Sequence, residues 1–295
     1  MTDYPSIYRS KSGYEKVMAL NDEALRQGPV PYQTRMINTR HGKTHIVTGG
    51  PENGRPIILF HGWSSFAAVI GAEFPFLFNS FRVYMPDIIG QAGKSDPNRP
   101  PTKGSVYADW VADILNELNL QKAIVMGVSG GGWITLKFAA YYSDRITKAI
   151  ALSTAGLSPQ NFSAILRGMV PAAIFPNSTT IRWLLDFFTA PTTQIGDRAQ
   201  ILEDSLKIQF KYFKSNAVPG QLPEQELRQI TAPLLVLMGE YERILFPRIS
   251  IERAKQFIPG LVSAELVANA GHVMTTDQPE WVKKRILGFL TGGLA

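Results

Sequence analysis

The chain contains no cysteine. Disulfide bridges and thiolate metal sites are therefore excluded. It also lacks any apolar stretch near the ~20 residues that a membrane-spanning helix needs. The opening residues Met1-Thr2-Asp3-Tyr4-Pro5-Ser6 have no apolar core of the kind a signal peptide carries. Together these absences make the cytoplasm the expected compartment and leave no membrane partner. An excess of one charge is nearly missing too. Lys and Arg number 30 against 24 Asp and Glu, a net charge of +6. The basic residues are scattered and form no stripe interleaved with aromatics. That pattern predicts a solvated basic surface and no nucleic-acid partner.

What the chain does have is a globular composition, 45% hydrophobic and 18% charged, over 295 residues. That is long enough for one large α/β core. The runs Ile57-Ile58-Leu59-Phe60 and Leu234-Leu235-Val236-Leu237 are short and unbroken, as strands covered on both faces of a parallel sheet are. Amphipathic segments over 106–118, 133–142 and 279–290 alternate with such runs, which predicts βαβ units. One stretch breaks the alternation. From 156 to 229 the chain reads as apolar helices, with Phe162, Trp183, Phe187, Phe188 and Phe213 among them and Pro171, Pro176, Pro191 and Pro219 punctuating it. The expected organisation is a core of 1–155 and 230–295 carrying a helical insertion of 156–229. Most of the insertion's aromatics are expected to form its own core.

Ser129 stands in Gly127-Val128-Ser129-Gly130-Gly131, directly after the apolar run Ala123-Ile124-Val125-Met126 and before an expected helix. Gly-x-Ser-x-Gly in that setting predicts a strained strand-to-helix turn with the hydroxyl exposed, a nucleophile elbow. The glycines are needed because side chains there would strike the neighbouring strand or helix. The Gly130 N–H, at the helix start, would face a developing oxyanion. A serine hydroxyl needs a base, most often histidine. The chain has four histidines. His41 and His45 fall around a turn between two early strands and read as polar strand-face residues. His61 ends the buried run before Gly62 and Trp63. His272 lies in Asn269-Ala270-Gly271-His272, after the run Ala264-Glu265-Leu266-Val267.

With these motifs the chain resembles the α/β-hydrolase superfamily from about residue 35 onward. More loosely, it resembles bacterial carboxylesterases of the naproxen-esterase type. The looser likeness rests on the run of residues 37–45, Gly50-Pro51-Glu52, Pro86-Asp87-Ile88-Ile89-Gly90, Gly239-Glu240-Tyr241-Glu242, and Asn269-Ala270-Gly271-His272 with Asp277-Gln278-Pro279. The resemblance implies an α/β fold, a mostly parallel central sheet with helices on both faces and a helical cap inserted over the site. It implies the chain order serine, acid, histidine, which leaves His272 as base because it alone follows Ser129. The acid is then expected after the strand 233–238. Glu242 occupies the family's aspartate position three residues past Gly239, and Glu240 is its rival. His61-Gly62-Trp63 resembles the family's His-Gly-x motif, so Trp63 N–H would join Gly130 N–H in an oxyanion hole. His61 would brace that loop. The run of residues 85–95 resembles a family loop with one residue inserted, and would shape the site without taking part in the chemistry.

The expected activity is hydrolysis of carboxylic esters through an acyl-enzyme, on a small hydrophobic substrate, with no metal or organic cofactor. Carbon–carbon bond hydrolases, thioesterases, amidases and cofactor-free perhydrolases also keep a serine and stay open. So does a non-catalytic ligand receptor on the same fold.

Overall fold

The computed structural model describes residues 4–193, 198–216 and 218–292, with the side chains of residues 198–202 left aside. The opening Met1-Thr2-Asp3 and a few residues of the 156–229 insertion therefore lie outside the described residues. The elements run, in chain order, α1 (Lys11–Arg26), β1 (Gln33–Thr39), β2 (Gly42–Gly49), β3 (Arg55–Phe60), α2 (Ala67–Glu73), β4 (Phe81–Pro86), α3 (Val106–Glu117), β5 (Ala123–Val128) and α4 (Gly130–Tyr142). There follow β6 (Ile146–Leu152), α5 (Phe162–Ile174), α6 (Ser178–Phe188), α7 (Arg198–Tyr212), α8 (Glu224–Leu227), β7 (Leu234–Gly239), α9 (Pro247–Phe257), β8 (Leu261–Val267), α10 (Met274–Asp277) and α11 (Pro279–Thr291).

The eight strands form one sheet in the order β1-β2-β4-β3-β5-β6-β7-β8. β1 pairs with β2, and β2 with β4, antiparallel; every later pairing is parallel. The unbroken apolar runs of the inner strands are explained by burial on both faces. Ile58, Phe60, Val125, Ala149, Ala151, Val236 and Met238 pack on one side with residues of α3, α4 and α9. Their chain neighbours Ile57, Leu59, Ile124, Met126, Ile150, Leu235 and Leu237 pack on the other with α2 and α11. This period-two division gives each strand two apolar faces to bury. The sheet order also creates a switch point. From β3 the chain moves to β4 on one side, then returns to β5 on the other. Crevices at the carboxyl ends of strands open at such points, and here the loop after β3 carries Trp63 while the turn after β5 carries Ser129.

The insertion has a core of its own, in which Ala172, Ile181, Leu184 and Leu185 pack with Met169, Phe188, Leu206 and Phe210. Pro171 does not end a helix as its punctuating position suggests; it lies inside α5. A proline there cannot donate to the Arg167 carbonyl four residues back. Trp183 of α6 supplies the missing donor, its Nε1–H reaching Arg167 O at 3.2 Å. At the far end of the insertion, α7 packs on α1. Tyr8, Val17, Ala92 and Phe213 share a small core there, and the backbone bonds Arg9 N–H to Tyr212 O and Lys214 N–H to Ile7 O, both 2.8 Å, lock the two segments together. Leu222 and Leu227, by contrast, belong to the main core beside α4 and α9. Among the described residues no helix is long and apolar enough to cross a membrane.

Candidate active site

Ser129 takes φ 56° and ψ −114°. For a residue with a Cβ this is a sparsely populated conformation, costing on the order of 1–3 kcal/mol. The surroundings hold it there. Ser129 N–H donates to Leu152 O of β6 at 2.9 Å, and its carbonyl accepts from Trp133 and Ala155 N–H. The two flanking glycines leave no alternative: a Cβ on Gly127 would overlap the Gly131 carbonyl, and one on Gly131 the carbonyls of Phe60 and His61. The turn after β5 is thus wedged against both neighbouring strands.

The loop after β3 lies over this turn. A Cβ built on Gly62 would sit 3.6 Å from Ser129 Cβ, and one on Gly130 would sit 3.2 Å from Trp63 N while overlapping the Trp63 ring. Trp63 and Gly130 are therefore backbone neighbours beside the serine. Among the described residues neither N–H donates a hydrogen bond, as expected for Gly130 in the first turn of a helix. His61 is fully buried. Its Nδ1 lies 2.8 Å from Gly62 O and its Nε2 accepts from Ile88 N–H at 2.9 Å. Burial pushes its pKa below the ordinary histidine value, although the charge of Asp87 and the Gly62 bond pull the other way. A neutral imidazole with its proton on Nδ1 thus ties the Trp63 loop to the loop after β4.

Asp87 organises that second loop. It accepts from Ala67 N–H at 2.7 Å, from Lys94 N–H at 2.9 Å and from His45 Nδ1 at 2.8 Å. Burial works against its charge, but these bonds, led by His45, hold its pKa below the usual carboxylate value. His45 is accordingly a buried partner of Asp87 and not the polar strand-face residue its position near a turn suggests. The chain's pattern gives no sign of this, because Asp87 is 42 residues away.

His272 and Glu242 meet at the carboxyl ends of β7 and β8. His272 Nδ1 lies 2.5 Å from Glu242 Oε2, and Glu242 Oε1 accepts from Ile244 N–H at 2.9 Å. Both residues are buried. Burial disfavours the imidazolium, but the charge of Glu242, its hydrogen bond and the charge of Glu73 outweigh that and raise the His272 pKa above its ordinary value. Glu240, the rival carboxylate, is exposed and instead accepts from Asn269 N–H at 3.1 Å. Among the described residues no hydrogen bond joins Ser129 to His272. Such a pairing is often loose before substrate arrives.

Several further residues hold the His272 and Trp63 loops in place. The Phe188 ring, at the end of α6, lies 5.2 Å from the imidazole at 35°, and Phe188 O accepts from Val273 N–H. Asp277 closes the loop by accepting from Gly271 N–H at 2.6 Å, from Ala190 N–H at 3.1 Å and from Thr193 Oγ at 2.5 Å. Asn216, just after α7, accepts from Trp63 Nε1–H at 3.2 Å and from Gln91 Nε2–H at 2.9 Å, while Gln91 Oε1 takes Ser64 N–H. Asp277 was open to detection, since it stands only six residues past Gly271. Phe188 and Asn216 were not, because their contacts span the insertion. An open cleft of about 490 Å³ runs beside Glu242 and Arg243 between α5 and α6, lined also by Asn161, Ala164, Arg167, Trp183 and Phe187.

Comparison with known proteins places the chain among hydrolases of one family. The family model described as the alpha/beta hydrolase family matches residues 57–285. Carboxylesterase YbfK of Bacillus subtilis is 32% identical over 285 residues, covering 92% of this chain and 93% of that one. The crystal structure of that enzyme, also named CesB, superposes with a TM-score of 0.82 at 26% identity, over 96% of this chain and all of the other. The naproxen esterase, carboxylesterase NP, of the same organism superposes with a TM-score of 0.83 at 25% identity, over 96% and 99%.

Proposed function

This chain belongs to the alpha/beta hydrolase family and is an esterase-like hydrolase of carboxylic esters; we propose that Ser129 is its nucleophile, His272 its base and Glu242 the acid that orients the base. The observation that carries the assignment is the His272 Nδ1 to Glu242 Oε2 contact of 2.5 Å at the same carboxyl end of the strands as the strained Ser129 turn. In this reading Glu242 holds the proton on Nδ1, so Nε2 is free to take the Ser129 proton. Oγ attacks the ester carbonyl, and the N–H groups of Trp63 and Gly130 receive the oxyanion. His272 returns the proton to the leaving alcohol. Water, deprotonated by His272, then attacks the acyl-serine, and the carboxylic acid leaves as Ser129 regains its proton.

The helices α5 to α7 of the 156–229 insertion act as a cap in this proposal. Phe188 lays its ring against His272, so cap and site share a wall. An apolar wall excludes water and favours a hydrophobic acyl group of short to medium length or a bulky aromatic acid. A panel of p-nitrophenyl esters tests this. The butyrate is expected to exceed the acetate in kcat/KM by about tenfold, and matching amides and thioesters are expected to be poorer. Best activity on charged amides or peptides would refute the substrate class.

Asn216 links the cap's exit to the oxyanion loop, since its one carbonyl oxygen serves both Trp63 and Gln91. Asn216→Ala is expected to lower kcat by about three- to tenfold, the worth of roughly one lost hydrogen bond expressed in the transition state, with KM little changed. Steady-state kinetics beside a thermal melt decide the matter. A lower melting temperature with unaltered kcat would leave Asn216 a merely structural residue.

A further inference from the structure

Glu73 closes α2, the helix that follows the oxyanion loop. Its Oε2 accepts from Thr275 Oγ at 3.3 Å, and Thr275 stands three residues past His272 on α10. The helix next to Trp63 is thereby bonded to the loop of His272, from a side different from that of Glu242. Glu242 comes from the loop after β7, Glu73 from the opposite flank of the site beyond β3.

We propose that Glu73 is a second carboxylate acting on His272, a positioning residue that fixes the His272 loop through Thr275 and adds its charge to that of Glu242 when the imidazolium forms. The proposal rests on the assignment of His272 as base. Its charge reaches the ring: the interaction with Glu73 raises the His272 pKa and lowers that of Glu73. Burial outweighs this in Glu73 itself and pushes it up to about 7, with the Thr275 bond also opposing. Glu73 therefore gains its charge near neutrality.

Several charged or titratable groups on the surrounding elements are engaged elsewhere: Arg82 of β4 donates to Gly50 O and Gln33 Oε1, Arg55 of β3 to Leu290 O, His45 of β2 pairs with Asp87, and Arg285 of α11 with Glu265. Asp277 holds Gly271, Ala190 and Thr193. Arg243, beside Glu242, donates to the carbonyls of Asp186 and Phe187. Phe188, on the cap side, is neutral. Tyr32, whose hydroxyl a Cβ on Gly71 of α2 would strike, is kept protonated by burial. On α1, which packs against α2, Asp22 pairs with Lys94 and Glu23 with Arg26. Glu242 and Glu73 are the two anions that act on the imidazole.

Two opposing consequences follow when Glu73 loses its charge. The imidazolium of the transition state is less stabilised, so the high-pH rate falls. The free His272 is easier to deprotonate, so the acid limb of kcat/KM moves to lower pH. Glu73→Gln is therefore expected to be about three- to tenfold slower than the wild type at pH 8.5 and to approach parity near pH 5.5. Glu73→Asp, which keeps the charge, is expected to keep the wild-type pH profile with a smaller loss. Titration of the histidine ring signals by NMR gives a readout independent of turnover: the His272 resonance should titrate at lower pH in Glu73→Gln than in wild type. An equal loss at every pH with an unchanged His272 titration would overturn the proposal. His272→Ala, run in parallel, separates the two readings: if it stays active, the base assignment fails; if it is inactive while Glu73→Gln matches wild type at all pH values, only the role of Glu73 fails.

Discussion

Ser129→Ala is expected to reduce ester hydrolysis by about 10⁶ while leaving the fold unchanged. The loss is large because the hydroxyl supplies the attacking atom, and no other residue of the elbow carries a nucleophile: Gly130, Gly131 and Gly132 follow it. The fold survives because the backbone, not the hydroxyl, anchors the turn. Ser129 N–H and C=O keep their bonds to Leu152, Trp133 and Ala155. Alanine meets the same strain at φ 56° as serine does, so the substitution neither adds nor removes much of it. Esterase rate and circular dichroism on the purified variant are the test. A folded variant retaining more than a tenth of the normal rate would reject Ser129 as nucleophile.

The second large effect separates two carboxylates that follow the same strand. Glu242→Gln is expected to lower turnover by roughly 10²–10⁴, and Glu240→Gln by about tenfold or less. Both oxygens of Glu242 are committed, Oε2 to His272 Nδ1 and Oε1 to Ile244 N–H. A glutamine can keep its oxygen toward Ile244 only by aiming its NH₂ at Nδ1. That forces the imidazole proton onto Nε2, the nitrogen that must accept the serine proton, and it removes the charge opposite the imidazolium. Glu240 is exposed and supports one backbone N–H of the neighbouring loop, that of Asn269. Rates for both variants on one ester decide the order, and the reverse ranking would transfer the acid's role to Glu240.

The sheet and its covering helices were legible in the chain because their signal is local. Runs such as Ile57-Ile58-Leu59-Phe60 and Leu234-Leu235-Val236-Leu237 lie within strands buried on both faces, and the amphipathic segment ending near 290 is α11. Ser129, Trp63, His272 and Glu242 could be singled out because each stands at a strand end in a short run that resembles a motif of the family. The rest of the site had no such signal. Glu73 and Thr275 are 202 residues apart, and Trp63 and Asn216 are 153 apart. Only the assembled fold brings these pairs together. The helix through Pro171 escaped the sequence for a related reason, since the donor that compensates for the proline belongs to Trp183 on another helix. The burial of His45 has no local signal either, because it depends on what packs over a strand, and Asp87 reaches it from the loop after β4.

The docking of α1 on α7 bears on the order in which the chain can fold as it is made. Tyr8 and Phe213 pair across most of the sequence, so α1 has to wait for some two hundred further residues before its partner exists. At ordinary ribosomal speeds that delay is on the order of ten to forty seconds. Throughout it Val17, which the finished molecule buries completely, lacks the part of its covering that Phe213 supplies. The nascent chain can assemble β1 to β6 in the meantime, because those strands pair with near neighbours in sequence. Seating the first helix is thus among the last steps of maturation, and it is the step that clasps the end of the cap.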